Sequence, residues 1–364
     1  MRIDEIDKNL LIQTDITEPD IVWLNVKNAP FVISGISYDE EQGVFVRMPQ
    51  KVADQVSDSV AYLNSCTAGG RVRFRTNSRF IGIHAVTNCS CGFIFPHMTL
   101  ACKSGFDMYR KKEDDSRMYF YHSYIPNALD YTGEYSLPFE TDGAMADYVM
   151  NFPLYDGIKE LYIALKKDAV IEAPTPYQHN LPVVFYGNSV TQGGCASRPG
   201  NCYQGFLSRW LDMDYINLGF SGSGCGEAEI IQYIAGLEMS VFVADYDKNA
   251  PDIEHLRKTH LPMYRMIREK QPNVPIVFMS STQLKLLPEE HIPRREVILE
   301  TYRTALSEGD ENVYFLDGEF VYGEDEWDAC TVDDGHPNDL GFIRIASYMR
   351  TVLEPLLLEN RIHF

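Results

Sequence analysis

The chain has 364 residues, of which 45% are hydrophobic and 23% charged, and its formal net charge is −20. A length of this order asks for two domains, and the composition is that of a globular chain with a buried core. The charge argues against nucleic acid or an anionic membrane surface as a partner. Acidity at this level reads as solubility and identifies no ligand.

The opening stretch, MRIDEIDKNLLIQTD, has no long apolar segment, so no secretory signal is expected. No run of about 18 apolar residues is available to span a membrane. The eight cysteines are scattered and none shows CxxC spacing. The closest pair, Cys89 and Cys91, would point to opposite faces of a strand. Free thiols and a cytoplasmic location are therefore expected.

Residues 1–178 read as short alternating runs: RVRFRTN, RFIGIHAV, RMYFYHSY and KELYIAL. Period-two patterning between turn-rich breaks predicts antiparallel strands, and several of them in one half predict a β-sandwich or jelly-roll-like domain. One stretch, KVADQVSDSVAYLNSC, carries Val52, Val56, Val60 and Leu63 at helical spacing, which predicts a short helix lying on that sheet. APTPYQHNLP (173–182) holds three prolines and reads as the connection to a second domain, 179–364.

There the rhythm changes. PVVFYG, YINLGF, SVFVADY, PIVFMSS and NVYFLDG are nearly continuous apolar runs. They alternate with helical patterns in GEAEIIQYIAGL, IEHLRKTHLPMYRMIREKQ, RREVILETYRTALSEG and DLGFIRIASYMRTVLEPLL. Such alternation predicts an α/β fold with a parallel sheet covered on both faces. Reactive groups in such sheets collect past the carboxyl ends of the strands.

Those ends carry Gly187-Asn188-Ser189, then NLGFSGSG with Gly222, then ADYDKN with Asn249, and finally TVDDGHPND with Asp333, Asp334 and His336. Singly, each has a plain reading: Ser189 as a helix N-cap, the glycines as turns, Asn249 as a cap, His336 as a loop residue. Together they are the groups acyl transfer requires. A serine hydroxyl needs a histidine to take its proton, the imidazole needs a carboxylate to orient it, and the oxyanion needs donors already in place. Spacing alone leaves Asp333 and Asp334 as rivals for the carboxylate.

The set resembles the SGNH/GDSL hydrolase superfamily. GNSVT is similar to its first block, NLGFSG to the second, ADYDKN to the third and DDGH to the D-x-x-H of the fourth. Asn188 stands where the family name has Asp, and Asn249 lies between Lys248 and Ala250 rather than in a G-x-N-D sequence. The resemblance implies Ser189 as nucleophile, His336 as base, Asp333 as the orienting acid, and an oxyanion hole of the Ser189 N–H, the Gly222 N–H and the Asn249 side chain. It further implies a flavodoxin-like three-layer α/β/α domain. TQGGCASRPGN (191–201) and GFDMY (105–109) resemble a branch in which a β-sandwich precedes the hydrolase domain, as in carbohydrate esterases that deacetylate hemicellulose oligosaccharides. The expected activity is thus a serine esterase removing O-acetyl groups from manno- or xylo-oligosaccharides. No cofactor and no metal are expected, the expected partner is the acetylated oligosaccharide, and Trp327 is a candidate sugar platform. The sequence sets no oligomeric state.

Rival patterns fare worse. G-x-S-x-G is absent around both Ser189 and Ser221. GFSGSGCGE breaks the G-x-G-x-x-G spacing at Glu227. His255 and His260 lie five apart on a predicted helix, which suits a solvated face better than zinc. Asp245 and Asp247 read as structural, hydrogen-bonded acids. The alternative functions are a non-catalytic sugar-binding protein, which has no use for a complete triad, and a lipase- or thioesterase-type hydrolase of the same superfamily.

Overall fold

The computed structural model describes residues 12, 14–88, 96–128 and 132–359. Cys89 and Cys91 lie outside them; the six described cysteines are free thiols. No described helix is long and apolar enough to cross a membrane.

The N-terminal half is built from β1 (Ile21–Asn25), β2 (Val32–Ser34), β3 (Ser37–Asp39), β4 (Val44–Val46), β5 (Arg71–Thr76), β6 (Ile81–Thr87), β7 (Phe106–Lys112), β8 (Tyr119–Tyr124), β9 (Glu134–Leu137), β10 (Ala146–Asn151), β11 (Ile158–Lys166) and β12 (Ile171–Glu172). They form a four-stranded antiparallel sheet, β1-β11-β6-β9, and a six-stranded one, β12-β5-β10-β7-β8 with β2 also on β5. Alternate side chains of both sheets, such as Ile81, Ile83, Leu161 and Ile163 from one and Val72, Phe74, Met108 and Tyr148 from the other, meet in one core. The four alternating runs read from sequence are β5, β6, β8 and β11.

The expected helix on this sheet is instead two helices, Gln50–Val56 and Asp58–Asn64. Ser57 breaks the chain in an extended conformation, and its Oγ accepts from the Val60 N–H at 3.2 Å. Their buried side chains, Ala53, Val60 and Leu63, join the core of the C-terminal half rather than that of the sandwich.

The C-terminal sheet is wholly parallel: β13 (His179–Gly187), β14 (Met213–Gly219), β15 (Val241–Asp245), β16 (Ile276–Met279) and β17 (Val313–Leu316), in spatial order β14-β13-β15-β16-β17. All five apolar runs are these strands. β13 already begins inside the proline-rich connection, and its register shifts between His179 and Val183, where Pro182 has no N–H to give. Helix Tyr203–Leu211 packs with Asp339–Glu359, and Ala228–Ala235 packs with Ile253–Lys270, which in turn packs with Pro288–Ser307. This is the flavodoxin-like strand order. Its chain reverses direction at β13, which opens a crevice past the carboxyl end of that strand.

His260 corrects the sequence reading. It is buried, its Nδ1 lies 2.9 Å from Thr301 Oγ1, and its ring packs between Tyr246 and Phe278. Burial lowers its pKa to about 3. A five-residue spacing places His255 and His260 on different faces, so the second entered the core.

Candidate active site

Ser189 follows β13 after one residue, Asn188, and opens the short helix Ser189–Gln192. Asn188 is the cap: its Oδ1 accepts from the N–H of Val190 at 2.7 Å and of Thr191 at 3.4 Å. An asparagine in place of aspartate keeps this acceptor, and its Nδ2 reaches Asp245 Oδ1 at 3.4 Å. Gly193, at φ +104°, ends the helix and returns its N–H to the Ser189 carbonyl. The serine is thus held at a tight strand-to-helix turn and is 5% exposed.

His336 arrives from the loop before the last helix. Its Nε2 lies 2.9 Å from Ser189 Oγ and its Nδ1 2.9 Å from Asp333 Oδ2. Asp333 Oδ1 also accepts from the backbone N–H of Gly335 at 2.8 Å and of His336 at 2.6 Å, so one carboxylate shapes the turn and orients the ring. Asp334 makes no such contact; its carbonyl accepts from Gln283 Nε2. Burial pushes the Asp333 carboxyl up, but the hydrogen bonds from His336 and Gly335 outweigh it and hold the pKa at about 2. Burial pulls the His336 imidazole below its ordinary value; Asp333 opposes this, while Lys248 and His97 reinforce it. An imidazole that is neutral at neutral pH can accept a proton.

Donors surround the serine. After β14, the N–H groups of Ser221, Ser223 and Gly224 are taken by Gln192 Oε1 and the Phe220 carbonyl. Among the described residues, the N–H groups of Gly222 and Ser189 donate to no acceptor. Gly222 sits at φ +66° with open space where a Cβ would be. Asn249, on the turn Asp247–Asn249, donates Nδ2 to the Phe220 carbonyl at 2.9 Å, which docks the third block on the second and leaves one amide hydrogen over.

Asp245 and Asp247 are buried and hydrogen-bonded, as read: Thr191 Oγ1 lies 3.4 Å from Asp245, and Asp247 accepts from the Ser281 N–H at 3.0 Å. Burial raises their pKa values to about 8 and about 6. Trp327 is half-buried against the core of this half.

Several neighbours were not legible beforehand. Lys248 lies over the Asp333–His336 turn: a Cβ on Gly335 would collide with its Nζ. Arg47, buried and from the sandwich half, donates to the carbonyls of Gly219 and Leu63 and lies 4.3 Å from the Phe220 ring centroid. Asp107 of GFDMY accepts from the Gly200 N–H. His97 and Cys195 flank His336; the His97 and His336 ring centroids are 5.5 Å apart. GFDMY and TQGGCASRPGN were the advance signals for these contacts between halves, through Asp107, Cys195 and Gly200.

Residues 180–354 match the GDSL-like lipase/acylhydrolase family, and residues 21–171 match the N-terminal domain of SGNH hydrolase-type esterases, known by its GxDLY motif. The chain belongs to the SGNH/GDSL hydrolase superfamily. Here the GxDLY motif is GFDMY, with Met108 in the fourth place. The hydrolase is 25% identical to a structure described as a GDSL-like lipase from Bacteroides ovatus, with a TM-score of 0.81 over 93% of this chain and 98% of that one. The fold is shared with the salicylyl-acyltransferase SsfX3 from a tetracycline biosynthetic pathway (19% identity, TM-score 0.75, 93% and 98% covered). It is shared also with the acetyl xylan esterase Est2A from Butyrivibrio proteoclasticus (14%, 0.54, 92% and 99%). No curated protein matches. A chain of this family is an ester hydrolase.

Proposed function

We propose that this esterase removes O-acetyl groups from hemicellulose-derived manno- or xylo-oligosaccharides, with Ser189 as nucleophile. The observation that carries the catalytic reading is the unbroken line Ser189 Oγ, His336 Nε2, His336 Nδ1, Asp333 Oδ2, with 2.9 Å at both hydrogen bonds. His336 takes the serine proton as Oγ attacks the ester carbonyl. The oxyanion accepts from the N–H of Ser189 and Gly222 and from the Asn249 amide. His336 then hands its proton to the departing sugar oxygen, and a water activated by the same imidazole releases acetate. Asp333 stays ionised throughout and stabilises the imidazolium that forms. The sugar assignment rests on likeness: the two-part fold is also that of an enzyme named as an acetyl xylan esterase.

The test is acetate release from acetylated xylan and mannan oligosaccharides, wild type beside Ser189→Ala. Release by the wild type alone supports the proposal, and the preferred backbone names the substrate. No release from either sugar, with p-nitrophenyl acetate still cleaved, retains the serine esterase and discards the carbohydrate.

A further inference from the structure

Three ligand-bearing side chains converge where the mechanism uses only one. His97, Cys195 and His336 each offer a nitrogen or sulfur atom, and these three atoms lie within 4.8 Å of one another. They come from three distant segments: the turn before the helix Leu100–Ser104, the loop after the nucleophile helix, and the loop before the last helix. Cys195 is 7% exposed and sits at φ +72°, a left-handed conformation that a residue with a Cβ adopts at a cost. The neighbouring Gly194 backbone packs directly on the imidazole, since a Cβ there would come 3.3 Å from His336 Cδ2. The loop therefore holds the thiol beside the histidine, and His97 closes the third side.

We propose that this cluster is an inhibitory site for a soft divalent cation of the zinc type. One thiolate and two imidazoles are ligands that zinc prefers, and three protein ligands leave a fourth position for water. At a tetrahedral zinc the ligand atoms stand roughly 3.5 Å apart, so a modest inward swing of the His97 side chain completes the set. His336 Nδ1 is held by Asp333, so Nε2 is the nitrogen that ligates. The pair then forms the carboxylate–histidine–metal arrangement that orients metal-bound imidazoles. The Cys195 thiol releases its proton to solvent as the metal–sulfur bond forms. Metal on Nε2 removes the acceptor that Ser189 needs, so the cation and catalysis are mutually exclusive.

The inhibitory consequence rests on the reading of Ser189 and His336 as nucleophile and base; the binding does not. The experiment therefore has two arms. In the first, zinc chloride is titrated into the Ser189→Ala protein by calorimetry, and cobalt(II) is added in parallel to read thiolate-to-metal charge-transfer absorption. One zinc per chain and a charge-transfer band are expected, both lost in the added Cys195→Ser change. In the second, p-nitrophenyl acetate hydrolysis is followed against free zinc for the wild type, Cys195→Ser and His97→Ala, each against its own metal-free rate. Each variant should need at least about tenfold more zinc for half-inhibition, and chelation should restore the wild-type rate. Unchanged zinc sensitivity in both variants, or cobalt binding without the thiolate band, overturns the proposal. Should the wild type hydrolyse no ester, the first arm still decides the site, and the esterase reading alone falls.

Discussion

Asp107 Oδ2 accepts a 2.8 Å hydrogen bond from the backbone N–H of Gly200, joining the sandwich half to the segment that follows the nucleophile. The carboxylate is fully buried, receives Asn151 Nδ2 at 2.8 Å and lies 3.3 Å from Arg198 Nε. Beside it the Tyr109 hydroxyl lies 3.3 Å from Asn201 Oδ1. Asn201 in turn donates to Asp339 Oδ2 at 2.7 Å, and Asp339 also accepts from the Ser197 N–H. Asp339 is three residues beyond His336. One motif on a β-strand thus braces both the loop after Ser189 and the start of the helix after His336.

Removing that brace should cost stability and turnover together. Asp107→Ala leaves a buried N–H and a buried amide without their acceptor, and a loss of about 3 kcal/mol is expected in urea unfolding. The rate constant kcat should fall more than KM changes, because the loop carrying the base loosens. Asp107→Asn, which keeps one acceptor, should lose less of both.

The Asp333–His336 pair predicts a second result. Asp333→Asn preserves shape but removes the charge that fixes the tautomer. Turnover should fall on the order of 10³–10⁴-fold, as expected when the imidazole is presented with the wrong nitrogen protonated. Asp334→Asn, at a position that touches neither Ser189 nor the ring, should stay near wild type. Equal losses in the two variants would reassign the carboxylate.

The donor arrangement predicts a third. Asn249→Ala should lower kcat about 100- to 1,000-fold with KM little changed, since the amide acts on charge that develops in the transition state. Wild-type turnover in this variant would remove Asn249 from the oxyanion hole. Gly222→Ala meets open space but places a Cβ at φ +66°, and about 1 kcal/mol of stability should be lost there.

pH supplies the fourth. His336 works as a base only when neutral, and its pKa lies below the ordinary 6.5. The acid limb of the kcat/KM profile should therefore have its midpoint below 6.5, on the acid side of that of an ordinary imidazole. Lys248 is one of the positive groups holding that pKa down. Lys248→Met therefore makes the imidazole easier to protonate, and the acid limb should move to higher pH. A limb that stays in place would show that the Lys248 charge is not felt at the ring.

Much of the C-terminal half was readable from the chain alone, because its determinants are local. Each of β13 to β17 is a short apolar run, since a parallel strand covered on both faces needs no polar alternation. The glycines, Ser189 and Asn249 follow such runs at positions where a parallel sheet gathers its reactive groups, and His336 stands just before the last helix. Between Asp333 and Asp334, only the family pattern and then the turn geometry chose, because neighbouring carboxylates are chemically alike in sequence. The Gln50–Asn64 helices were legible as helical periodicity, but not which core they would join. Periodicity records that a face is buried and carries no record of its partner. Arg47 on Gly219, Asp107 on Gly200, Lys248 over the histidine turn, and the gathering of His97, Cys195 and His336 were decided by tertiary structure alone. Each joins residues far apart along the chain whose side chains meet only after two sheets and their connections have packed, and nothing in local sequence encodes such a distance.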